Sequence, residues 1–205
     1  MLVLHYTGMK NAVAALDRMC DAGSQVSAHY MVDEDGEVFR LVDEADRAWH
    51  AGVAFWRGET DINARAIGVE LVNPGHEFDY RAFPPPQMAA LSGLCRDILA
   101  RHDIPARNVV GHSDIAPRRK TDPGELFDWA GLAAGGIGLW PKNEDVPPIG
   151  EDAVGDVLRA IGYEVEDLVA TLTAFQRRFR FQRLDGAADV ETRTRLAQVL
   201  ALFQG

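Results

Sequence analysis

Short apolar, β-prone runs alternate with helix-period segments through the first two thirds of this 205-residue chain, and no other feature restricts its fold as much. The chain opens on Leu2-Val3-Leu4-His5-Tyr6, a strand-like run. Residues 11–20 follow with Val13, Leu16, Met19 and Cys20 at helical spacing. Residues 28–32 and 38–42 flank Asp33-Glu34-Asp35-Gly36, whose Asp-Gly pair favours the positive φ angles of a tight hairpin turn. Residues 66–72 read as a central strand. Pro84-Pro85-Pro86 then leads into a helix over residues 87–102, with Met88, Leu91, Leu94, Cys95, Ile98 and Leu99 on one side. Proline suits that entry because the N–H it lacks has no partner in a helix's first turn. Val109-Val110-Gly111 is a last short strand. The expected fold is α/β, a mixed central β-sheet flanked by helices.

Composition shifts at Trp140-Pro141-Lys142-Asn143-Glu144-Asp145-Val146-Pro147-Pro148-Ile149-Gly150, a proline-rich, charged stretch suited to a linker. Beyond it Val154, Val157, Leu158 and Ile161, then Leu168, Leu172 and Phe175, then Leu196, Val199 and Leu200 repeat at helical spacing. The expected organisation is a domain over residues 1–141, a linker over 142–150 and a small three-helix domain over 151–205. Arg177, Arg178, Arg180 and Arg183 read as a solvated helix face, with substrate contact as the sharper alternative.

Twenty-one basic against 31 acidic residues give a net charge of −10, which argues against a nucleic-acid partner. No apolar run is long enough for a transmembrane helix. Cys20 and Cys95 are too few for a disulfide framework and are expected as buried free thiols. The start shows no basic, apolar and small-residue leader, so the expected location is the cytoplasm, or else the envelope if a leader has been trimmed.

Among the six histidines, His102 at a helix end and His76 in a Pro-Gly loop have plain structural explanations. His5 and His112 stand at or just past short apolar strands, where open sheets present functional groups. Asp122 precedes a proline and is pushed toward extended backbone, which sets Lys120 and Asp122 on one side. Two imidazoles and a carboxylate make a three-ligand set with one open position, as in catalytic zinc sites. The same set suits non-haem iron, and on spacing alone satisfied structural histidines are the commoner explanation. Glu70 interrupts the apolar run Ile67-Gly68-Val69-Glu70-Leu71-Val72, where a carboxylate needs either a basic partner or a function.

These residues resemble the type-2 N-acetylmuramoyl-L-alanine amidases, zinc enzymes related to the peptidoglycan-recognition proteins. The matching stretches are Leu4-His5-Tyr6-Thr7, Ser27-Ala28-His29-Tyr30, Ala48-Trp49-His50-Ala51-Gly52, Ile67-Gly68-Val69-Glu70-Leu71, Gly111-His112-Ser113-Asp114-Ile115-Ala116-Pro117 and Lys120-Thr121-Asp122-Pro123-Gly124. They keep the family's order and cover about residues 1–141. The final residues are similar to the peptidoglycan-binding-like module of the two-domain envelope members, through Ala160-Ile161-Gly162-Tyr163, Phe175-Gln176-Arg177-Arg178-Phe179-Arg180 and Asp185-Gly186.

The resemblance implies His5, His112 and Asp122 as ligands of Zn2+, Glu70 as acid/base and Lys120 as oxyanion stabiliser. It implies a muropeptide or peptidoglycan substrate, with Trp49, His50, Tyr30 and Arg118 as candidate contacts. Trp56 is weighed equally as a contact or a core residue, and His29 is expected to support the site from beneath. A non-catalytic recognition module is the alternative, and a monomer is the plausible state. A cytoplasmic enzyme of this kind would meet soluble fragments ending in 1,6-anhydro-muramic acid. A chain ending after Gly150 is expected to keep cleaving small muropeptides.

Overall fold

The computed structural model describes residues 1–204. Its strands are β1 (Leu2–Tyr6), β2 (Tyr30–Val32), β3 (Val38–Arg40), β4 (Ile67–Leu71) and β5 (Val109–Gly111). They form one five-stranded sheet in the order β3-β2-β4-β1-β5. All neighbours are parallel except β2 and β3, so the sheet is mixed. The β2–β3 turn is the hairpin expected at Asp33–Gly36: the Gly36 N–H donates to the Asp33 carbonyl at 3.0 Å, with Gly36 at φ +95°.

The helices are α1 (Ala12–Cys20), α2 (Pro85–Arg101), α3 (His112–Ile115), α4 (Trp129–Ala134), α5 (Val154–Ile161), α6 (Leu168–Phe179) and α7 (Val190–Gln204). Pro85 and Pro86 occupy the first positions of α2, where their missing N–H costs nothing. Buried Gln87 then donates from Nε2 to the carbonyls of Val32 and Val72, fixing that helix to the ends of two strands. The short α3 and α4 carry too little periodicity to have been read from sequence. In α1 the buried residues are Ala15 and Met19, while Val13 and Cys20 are exposed, so the helix is rotated from the expected face and Cys20 is not a buried thiol. Cys95 is buried as expected.

Side chains alternate across the sheet with period two. Leu2 and Leu4 join Ile67, Val69, Leu71 and the apolar face of α2 in one core. Val3 and Val110 face the other way, into a core built with Trp56, Ile115 and the three C-terminal helices. The helices from α5 to α7 therefore share a core with the sheet: Trp56 stacks edge-on against Tyr163 and Phe203. The intervening stretch has neither helix nor strand from 141 to 150 and lies along α7, where Glu144 and Ile149 carbonyls accept from Gln198 and Arg193. Leu168, expected on the buried face of α6, is exposed. Arg178 and Arg180 are buried, which corrects the reading of a wholly solvated basic face. Among the described residues, no helix is long and apolar enough to cross a membrane.

Candidate metal centre

Parallel strands present their carboxyl ends at one edge of the sheet, and three of those ends supply this site. His5 lies near the end of β1, its register partner Glu70 near the end of β4, and His112 directly after β5. The loop after α3 returns to bring Asp122 alongside, fastened where the Ser113 N–H donates to the Asp122 carbonyl at 2.8 Å. His5 Nδ1 is then 2.9 Å from His112 Nδ1, and each is 3.0 Å from Asp122 Oδ2. All three residues are buried.

The second nitrogen of each ring decides what this triangle can hold. His112 Nε2 donates to the Ala51 carbonyl at 3.0 Å, which leaves its Nδ1 as a lone pair. His5 Nε2 meets His50 Nδ1 at 3.0 Å; with His5 donating there, its Nδ1 is a lone pair as well. Burial first, and then neighbouring His112, lower the His5 imidazole to about 4, so the ring is neutral near pH 7. Asp122 brings its carboxylate Oδ2 to the same point, 3.0 Å from each imidazole Nδ1. Two imidazole lone pairs and a carboxylate thus converge with no donor among them. Tetrahedral zinc separates its ligand atoms by roughly 3.3 Å, close to the spacing seen, so this donor set fits one small cation.

The support beneath is specific. A Cβ on Gly68 would fall 2.4 Å from the His50 ring, so only glycine leaves His50 room under His5. The Asn63 amide oxygen accepts from the backbone N–H groups of both His50 and Ala51. His29, one layer further, accepts at Nδ1 from the Gly68 N–H and donates from Nε2 to the Asp46 carbonyl, the supporting place expected for it.

Glu70 faces the same side as His5, and its Oε2 is buried without a hydrogen-bond partner. Burial, then the nearby Asp122 charge, raise its carboxyl well above the ordinary value despite the opposing Lys120 charge. A buried carboxyl without a partner, its proton affinity raised, is suited to taking up and handing on a proton. Glu70, Lys120, His112 and Asp122 all border one open cavity of about 710 Å³.

The proposed substrate contacts divide by position. Trp49 stands at the cavity rim, 47% exposed, while adjacent His50 is buried beneath His5. Tyr30 does not border this cavity; its hydroxyl donates to Glu44 at 2.7 Å on the opposite side of the sheet's core. Arg118 borders a neighbouring hollow instead and pairs with Glu164 and Glu166. Trp56 is core, not contact. Sequence reasoning missed Arg18, Arg47 and Arg119, which line the cavity with Lys120. Arg18 and Arg47 stand alone on separate segments with no pattern to single them out, whereas Arg119 lies between Arg118 and Lys120, where its place in the site motif is the available signal.

Residues 1–125 match the family model described as N-acetylmuramoyl-L-alanine amidase. The chain is 38% identical over 220 residues to the N-acetylmuramoyl-L-alanine amidase AmiD of Escherichia coli (strain K12), covering 94% of this chain and 79% of that protein. It superposes on the E. coli AmiD structure in complex with the substrate anhydro-N-acetylmuramic acid-L-Ala-D-gamma-Glu-L-Lys with a TM-score of 0.90 at 36% identity, covering 98% and 88%. Against AmpDh3 of Pseudomonas aeruginosa in complex with anhydromuramic pentapeptide, the TM-score is 0.88 at 33% identity, covering 99% and 91%.

Proposed function

The chain belongs to the N-acetylmuramoyl-L-alanine amidase family and is an amide hydrolase; from that premise we propose that it is zinc-dependent and cleaves the bond between the lactyl group of N-acetylmuramic, or 1,6-anhydro-N-acetylmuramic, acid and the L-alanine of the stem peptide. One observation carries the reading: three buried lone-pair donors converge beside a buried carboxyl without a partner. His5, His112 and Asp122 would hold the ion, which when bound lowers the pKa of a water to about 7 and polarises the scissile carbonyl.

The chain's own groups do the remaining work. Glu70 accepts the proton that the attacking water gives up and returns it to the departing alanine nitrogen. Lys120 offers a fixed positive charge to the oxyanion that forms as the carbonyl becomes tetrahedral. His50 and Ala51 hold the two imidazoles in the tautomer that keeps both lone pairs inward. Trp49 gives an apolar face at the rim, and the basic lining suits the carboxylates of a stem peptide.

The fragments that carry an anhydro end are those released in wall turnover, so the substrate form also bears on the place of action, proposed as the cytoplasm. Metal analysis of the purified protein, with cleavage rates on anhydro-muropeptides, reducing-end muropeptides and whole sacculi, tests both parts. About one zinc per chain and fastest cleavage of the anhydro form are expected. Loss of no activity on chelation overturns the metal, and efficient peptide release from sacculi overturns the cytoplasmic recycling role.

A further inference from the structure

The C-terminal helices reach the metal centre through one buried ion pair. Asp114 lies two residues after His112 and is buried within α3. Its Oδ2 accepts from the Gly111 N–H at 2.8 Å and from Arg178 Nη1 at 2.7 Å, and its Oδ1 accepts from the Tyr163 hydroxyl at 2.7 Å. Tyr163 follows α5 and Arg178 belongs to α6. The second arm of Arg178, Nη2, donates to the Val109 carbonyl in β5 at 3.1 Å. Its guanidinium rests 4.1 Å from the Trp129 ring centroid and 4.8 Å from that of Phe179.

One planar group therefore grips the backbone before His112 and the side chain after it. A rigid two-armed donor fixes geometry in a way that a flexible ammonium does not. The turn it grips places two candidate ligands, because His112 begins it and the Ser113 N–H holds the Asp122 carbonyl. The far side of the His112 ring is already tied to Ala51, so the ring cannot compensate for a shifted backbone without losing that bond. Burying an ion pair is seldom the most stabilising way to fill a core, and apolar residues would pack α6 against the sheet at no desolvation cost. Its place at this turn gives it a positional use.

We infer that Arg178 and Tyr163 are positioning residues for His112 and Asp122, so that the C-terminal helical unit completes the metal centre. This rests on the reading of His5, His112 and Asp122 as metal ligands. It also revises the expectation that residues 1–150 alone keep cleaving small muropeptides.

The test uses the full chain and two readouts, zinc affinity by chelator competition and the visible absorption of the cobalt(II)-substituted protein, which reports ligand geometry. Y163F removes one hydroxyl while keeping the ring; R178M removes the charge; R178K restores a charge that cannot hold Asp114 and Val109 together. Y163F and R178M should weaken zinc binding about 10-fold or more, the range for partners that orient ligands, and should alter the cobalt spectrum. R178K should recover part of the affinity. Circular dichroism establishes folding, and if R178M does not fold, Y163F decides alone. Wild-type affinity and an unchanged cobalt spectrum in folded Y163F, while H112A loses zinc, would overturn the inference and leave the metal reading standing. Zinc binding by H112A as tight as wild type would instead overturn the metal reading itself.

Discussion

His5 and Glu70 are register partners on adjacent parallel strands, and the strand period turns both toward the same face of the sheet. An imidazole of the candidate metal set and a buried carboxyl without a partner are thereby fixed side by side by backbone pairing alone. Strands hold such a relation more rigidly than loops would.

Replacing Glu70 with Gln keeps size and shape and removes the ability to take a proton. Turnover should fall by about 10²–10⁴-fold, the usual contribution of general acid–base catalysis, with zinc content unchanged. Steady-state kinetics with metal analysis of the same sample checks this, and unchanged kcat would remove Glu70 from the mechanism.

Gly68→Ala should damage the centre from below. The new methyl meets the His50 ring, which must shift and take its contact with His5 Nε2 with it. Overpacking of this kind costs about 1–3 kcal/mol, and zinc affinity should drop with stability. Denaturant unfolding and zinc competition measure the two effects; wild-type values in both would show that the His50 support has no consequence.

The sheet, its hairpin and the long α2 were legible because each rests on a local signal: apolar runs, an Asp-Gly turn, prolines at a helix entry. Both histidines could be singled out because they end strands, and Glu70 because it breaks an apolar run. What sequence could not convey is long-range. Arg178 reads as an exposed helix charge until Asp114, 64 residues earlier, is seen to bury beside it. Trp56 stands open between contact and core until the C-terminal helices close over it. Tyr30 and Arg118 adjoin site motifs in the chain, yet their side chains are taken up by Glu44 and by Glu164 and Glu166. The buried face of α1 is not legible in sequence because nine residues give periodicity little leverage.

Acid stability should carry the signature of Glu44. Arg101 first, helped by hydrogen bonds from Tyr30 and His102 and opposed by burial, lowers this carboxyl from 4.5 to about 2. A folded value below the unfolded one contributes stability that is full above about pH 4.5 and fades as pH falls toward 2. Thermal unfolding of wild type and E44Q across that window should show their difference shrinking as pH drops. A constant difference would mean that Glu44 does not titrate with folding.

Trp49 tests substrate contact at the rim separately from chemistry. Because it is exposed and touches none of the candidate ligands' hydrogen bonds, Trp49→Ala should raise KM about 5- to 30-fold, on the order of 1–2 kcal/mol of lost stacking and apolar contact, with kcat little changed. An unchanged KM on a muropeptide would place the substrate elsewhere in the cavity.

The central claim is that a metal held by His5, His112 and Asp122 directs hydrolysis at the lactyl–L-alanine amide. Mass spectrometry of a 1,6-anhydro-muropeptide digest, run in parallel with zinc-loaded and chelator-treated protein, tests it most directly. The zinc-loaded sample should yield the free stem peptide with a new L-alanine amino terminus and the intact anhydro-sugar acid, and the chelated sample should yield neither. Cleavage at any other bond, or the same products from the metal-free protein, would contradict it.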